Sequence, residues 1–133
     1  MTRCAVPSVA ALLVALAATA PPADAQVNRV FPPTALRGSI AFGDSPPLIT
    51  LNGQPAQLSP GSRIHGMDNM LKMTGALVGQ KYMVDYTTEP ASGLVQEVWL
   101  LTTAEAGVLP WPQTLKQAAT WRFDPVAQTW TIP

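Results

Sequence analysis

Apolar side chains in this chain recur at every second residue, in short runs that turn signals interrupt at intervals of roughly 8 to 12 residues. Ile40 and Phe42 share one side of "GSIAF", and Ile49 and Leu51 alternate with Thr50. In "KYMVDYT", Tyr82, Val84 and Tyr86 oppose Met83 and Asp85. A two-residue period sends alternate side chains to opposite faces of a pleated strand, so each run can bury its apolar face only within a sheet. "LVQEVWLLT" is apolar on both faces at its later end and reads as a central strand. The pattern predicts an all-β fold: a small antiparallel barrel or strongly curled sheet of the OB or SH3-like kind, with one or two short helical turns near the C-terminus.

Particular residues predict the turns. Asn52-Gly53 tolerates the positive φ values of a type I′ hairpin, in which Leu51 faces Gln54 and Ile49 faces Ala56. Pro55 then lies on the return strand, which requires an edge or a missing donor that points away from the neighbour. "SPGS" at 59–62 fits a type II turn, after which Ile64 points inward and leaves Arg63 and His65 outward. Thr102 with Glu105 matches a capping box, Gly107 could end that short helix, and a second runs from Thr114 to Ala119. The tail forms a hairpin over 120–132, with Trp121 and Phe123 going out, Asp124-Pro125 starting the turn, and Trp130 and Ile132 coming back.

Residues 1–25 read as an export signal: Arg3 supplies the positive start, an apolar run spans Ala5 to Ala20, and "ADA" offers small residues for cleavage. An extended lead-in, 26–37, and a single β domain, 38–133, follow. The single cysteine, Cys4, falls within the signal, so an exported form would have no thiol and would rest on its hydrophobic core. Eight basic residues balance eight acidic ones, with no run of either sign. Counterion release from phosphates needs clustered cations, so nucleic acid and anionic membrane surfaces are not expected partners. The expected location is periplasmic or secreted, with no stable membrane insertion once the signal is removed.

Few residues offer chemistry. "FGDS" at 42–45 is similar to the nucleophile block of the GDSL/SGNH hydrolases, but the Asp-x-x-His that completes their site is missing, and a serine without a base stays a weak nucleophile. Asp68, Asp85, Glu89 and Glu97 fall on separate loops and strands, and their plainest reading is solvated strand faces. His65, Met67, Met70 and Met73, with Met83 on a later strand, form a soft donor set suited to Cu(I) or Ag(I). In residue types this set is similar to the periplasmic copper-carrier barrels, which combine methionines, a histidine and a tryptophan. The competing reading places Met70, Met73 and Met83 in the core as gap fillers. Four tryptophans could supply an aromatic platform for a sugar ring or a peptide. Trp111, between two prolines in "LPWPQ", is the candidate for an exposed anchor, and the competing outcome is a tail that clamps its own tryptophans onto the barrel.

"LNGQPAQLSPGSRI", "GLVQEVWLLT" and "ATWRFDPVAQTW" together resemble a group of small exported bacterial proteins with no assigned activity. The resemblance implies a compact β-rich periplasmic domain and lends no catalytic residue. The sequence thus leads to a non-enzymatic binding or accessory domain with no cofactor. Its expected ligand is an envelope protein or cell-wall component, with Trp111, Arg63 and His65 as contact residues. The alternative is a Cu(I)/Ag(I) carrier using His65, Met67, Met70 and Met73.

Overall fold

The computed structural model describes residues 29–133; the expected export signal and the first three residues of the lead-in lie outside that range. In chain order the elements are β1 (Leu36–Phe42), β2 (Leu48–Leu51), β3 (Gln54–His65), β4 (Leu71–Lys72), β5 (Lys81–Thr88), β6 (Val95–Leu100), α1 (Thr103–Ala106), α2 (Leu115–Thr120), β7 (Arg122–Asp124) and β8 (Thr129–Thr131). Strands pair in the order β2-β1-β5-β6-β3, and β2 also pairs with β3, which closes a five-stranded barrel. The two-residue strand β4 lies on the later half of β3, and β7 and β8 form a separate ribbon.

The Asn52-Gly53 hairpin has the predicted register, with Leu51 opposite Gln54 and Ile49 opposite Ala56. Both turn residues have positive φ, 52° and 79°, as a type I′ turn requires. Thr50 stands opposite Pro55, one step from the closing pair, where an antiparallel ladder has a non-hydrogen-bonded position. The proline therefore interrupts no bond to β2.

Three expectations are corrected. "SPGS" is not a chain reversal, because β3 runs through it unbroken for 12 residues. The register there slips instead: five steps from Leu58 to Arg63 match two from Val95 to Glu97 on β6. Pro60 and Gly61 thus serve a bulge that bends a long barrel strand. The barrel is also not wholly antiparallel, since β3 and β6 run in the same direction. Alternation specifies which face a residue takes and is silent on the direction of a distant partner. Finally, the lead-in is part of the fold: Leu36 and Arg37 begin β1, and Arg29, Phe31 and Ala35 are buried.

Two cores result. Inside the barrel, Ile40, Phe42, Ile49, Leu58, Ile64, Val84, Tyr86, Val95 and Val98 interdigitate, and Leu77 adds a further side chain from the crossing between β4 and β5. Outside it, Phe31, Ala35, Trp99, Leu101, Trp111 and Trp130 form a second apolar layer. The capping box is present as predicted: Thr102 Oγ1 accepts from Glu105 N–H, and Glu105 Oε1 accepts from Thr102 N–H.

The tail is held down by two buried arginines. Arg37 Nε donates to Asp85 Oδ1 at 2.6 Å, and its remaining nitrogens donate to the carbonyls of Glu105, Ala106 and Val108 at the end of α1. Arg29 donates through Nε and Nη2 to both oxygens of Glu105, and also to the carbonyls of Gly66 and Leu100. A guanidinium presents five donors in a fixed fork, which lets one side chain join several backbone acceptors.

Candidate binding surface

One row of paired residues crosses the outside of the barrel through His65. Cα register places Leu71 of β4 opposite His65 of β3, His65 opposite Trp99 of β6, Trp99 opposite Asp85 of β5, and Asp85 opposite Arg37 of β1. The row runs from solvent to interior, because the tail covers β1, β5 and β6 and leaves β4 bare. Leu71 is exposed and Asp85 fully buried.

His65 lies at the boundary. Its ring stacks on Trp99 with centroids 5.5 Å apart and planes 9° from parallel, while Nε2 faces Glu97 Oε1 at 3.4 Å. Arg63 is outward and exposed, opposite Glu97 in register. Both therefore point as the alternation predicted.

Beyond His65 the chain turns sharply. Asn69 N–H donates to Gly66 C=O and Gly66 N–H to Met70 C=O, with Asn69 at φ 64°. This is a three-residue hairpin loop closing on a left-handed residue. Asp68 Oδ1 accepts from Met70 N–H, and Oδ2 pairs with Lys72 Nζ at 3.2 Å. Those two contacts, the backbone donor foremost, hold the Asp68 carboxyl below the usual range. Arg29 grips the root of the loop through Gly66 C=O.

The loop carries its apolar side chains outward: Met67 is 47% exposed, Met70 65%, Leu71 64% and Met73 82%. Met83 is 46% exposed on β5. The reading of Met70, Met73 and Met83 as core fillers is thus overturned; branched and aromatic residues already fill the barrel. Among the described residues no group of three or more His, Cys, Asp or Glu gathers as a metal site. A soft cation would depend on these thioethers and on His65.

Trp111 does not join this surface. It is 4% exposed, its Nε1–H donates to Ala35 C=O at 3.1 Å, and the Arg37 guanidinium sits 4.9 Å from a ring centroid. Arg37 N–H also donates to Pro112 C=O, so the proline-flanked stretch is tied to the start of β1. Flanking prolines favour an extended backbone and do not determine which way it faces. The outcome is the clamped tail, with Trp111 edge-on to Phe31, Phe123 and Trp130.

The carboxylates and Ser45 are also placed. Glu89 accepts from the hydroxyls of Ser59 and Ser92, and Ser45 contacts only the neighbouring Asp44. Asp85, read as part of a solvated face, is instead buried against Arg37. A carboxylate on the β5 face shared with Met83 was the available signal, but its partner lay in a segment read as lead-in. In comparisons with known proteins, the chain matches no family model, no curated protein and no solved structure.

Proposed function

We propose that the chain is a non-enzymatic binding domain of the periplasm or of secreted material, taking an envelope protein or cell-wall component on the β3–β4 hairpin. One observation carries this reading: Met67, Met70, Leu71 and Met73 crowd a single hairpin with their apolar side chains in solvent. Surface apolar residues scattered singly are ordinary, whereas a cluster rimmed by polar groups marks a contact site. Arg63, His65 and Lys72 provide that rim. Side chains fill the barrel interior, which supports a recognition surface on its outside.

We further assign the barrel to the OB kind. Three consecutive strands, β1 to β3, are followed by a long crossing that lays β5 beside β1, a Greek-key path in a five-stranded barrel.

The test is the double substitution Leu71→Asp with Met73→Asp, both at exposed positions. It should abolish co-purification of the envelope component that the unaltered domain retains, with thermal melting unchanged. Thr50→Asp, on exposed β2, should retain it. Equal retention by all three forms would refute the assignment.

The exposure of the methionines supports a second reading, a Cu(I)/Ag(I) carrier. His65, Met67, Met70 and Met73 supply the donors, and Trp99 lies under the imidazole. Stoichiometric Ag(I) should then quench tryptophan emission, and Trp99→Phe should remove the response. Unchanged emission at one equivalent excludes the carrier and leaves the binding-domain reading intact.

A further inference from the structure

Three of the four tryptophans, Trp99, Trp111 and Trp130, are buried in the second core. Trp121 is the exception. It packs against that core yet stays partly exposed, and it lines an open groove of about 500 Å³ with Thr120, Arg122, Thr131 and Pro133. Local structure makes the groove. α2 ends at Thr120, and Trp121 leaves it with extended backbone while its N–H still donates to Gln117 C=O. Arg122 then pairs with Thr131 across the β7–β8 ribbon, one step before Phe123 and Trp130, which belong to the second core. Alternation therefore turns Arg122 and Thr131 to the side opposite the core.

The chemistry of this lining is selective. No Asp or Glu lines the groove, whose one anionic group is the terminal carboxylate of Pro133, and among the described residues Arg122 joins no ion pair. Thr120 Oγ1 donates to backbone carbonyls of α2, which leaves its lone pairs free to accept. An indole face receives the C–H side of a sugar ring, hydroxyls exchange hydrogen bonds with its rim, and a guanidinium forks onto a carboxylate.

We propose that this groove binds a six-membered sugar ring bearing a carboxylate, with Trp121 as the platform and Arg122 as the partner of the acid. Two polymers share that chemistry: wall glycan stripped of its stem peptides, which frees the lactyl carboxylate of muramic acid, and uronate polysaccharide. The site is separate from the hairpin and rests on the binding-domain reading only for its envelope setting.

Calorimetric titration of the exported chain with the N-acetylglucosaminyl–N-acetylmuramic acid disaccharide, with trigalacturonate and with neutral triacetylchitotriose tests it. At least one acidic ligand should bind saturably, about tenfold or more tighter than chitotriose. The disaccharide's preference would indicate wall glycan, and trigalacturonate's a uronate polymer; either supports the site. Arg122→Gln, at an exposed position, should reduce the acidic ligand to the neutral level, and Trp121→Ala should weaken every sugar. The hairpin variant carrying Leu71→Asp and Met73→Asp should bind sugar normally, so failure of the hairpin reading leaves this one standing. Absence of saturable binding at millimolar sugar, equal binding of chitotriose, or an unchanged Arg122→Gln variant would overturn it.

Discussion

Arg37 and Asp85 form an ion pair at 2.6 Å that is sealed from solvent, and the same guanidinium holds three carbonyls at the end of α1. One side chain on β1 thereby joins a barrel strand to the tail that covers it. Removing one member of a buried pair strands the other charge, and such losses cost about 3–5 kcal/mol. Arg37→Met should therefore destabilise the domain by about that amount in urea unfolding. Replacing both members, Arg37→Met with Asp85→Leu, should recover most of the loss, because no charge is left buried. If Arg37→Met proves as mild as Lys81→Met on the exposed start of β5, the arginine does not anchor the tail.

The pair also gives stability a definite pH dependence. Burial pushes the Asp85 carboxyl up to about 6, against the opposing pull of Arg37 and, more weakly, Arg29, while Glu105 adds to the rise. A carboxyl with a raised folded pKa holds its proton more tightly when folded. Its contribution is therefore gained as pH falls through about 6 and lost as pH rises through it. Glu105 acts in the other sense. Burial pushes it up, but Arg29 and the Thr102 backbone outweigh that and hold it below its ordinary value. Its contribution is present above about pH 4.5 and disappears as the carboxylate protonates below that. Asp85's contribution to the unfolding free energy should decline from about pH 4 toward pH 7 and level off above that, by at most ~3 kcal/mol in all for a shift of about two units. Asp85→Asn should flatten the decline above pH 5. A slope unchanged in that variant would assign the effect elsewhere.

Close packing makes a third prediction at Gly38. A Cβ there would stand 2.9 Å from the Tyr86 ring and 3.0 Å from the Asn52 amide oxygen. Neither can withdraw easily: Tyr86 is in the barrel core, and Asn52 Oδ1 accepts from Ser39 N–H. Gly38→Ala should destabilise by about 1–3 kcal/mol, as overpacking does. Gly43→Ala is the control, because its Cβ meets only Leu48 C=O, at an ordinary 3.8 Å. Equal thermal melting of the two variants would count against the packing drawn around Tyr86.

Local chemistry made part of this fold legible. The Asn52-Gly53 hairpin, its register, the Thr102–Glu105 capping box and the outward side chains of Arg63 and His65 all follow from short-range spacing. What escaped depended on partners far along the chain. The parallel contact of β3 with β6 needs the crossing from Leu71 to Gln80, which alternation does not encode. Pro60-Gly61 carries the composition of a turn and also of a bulge, and only a partner strand on one side decides between them. Arg37 looked like lead-in because the strand opposite it begins over forty residues later, at Lys81. The candidate surface was half legible: its residues were identified, but the exposure of the methionines and the burial of Trp111 were not. Trp121 emerged only once the other three tryptophans were placed inside.

The reading of the β3–β4 hairpin as the recognition surface is tested most directly by photo-crosslinking in the native envelope, with a benzophenone side chain at position 71 or at position 50. A discrete adduct from position 71 and none from position 50 is the predicted result. Adducts of equal yield from both positions, or none from position 71, would contradict it.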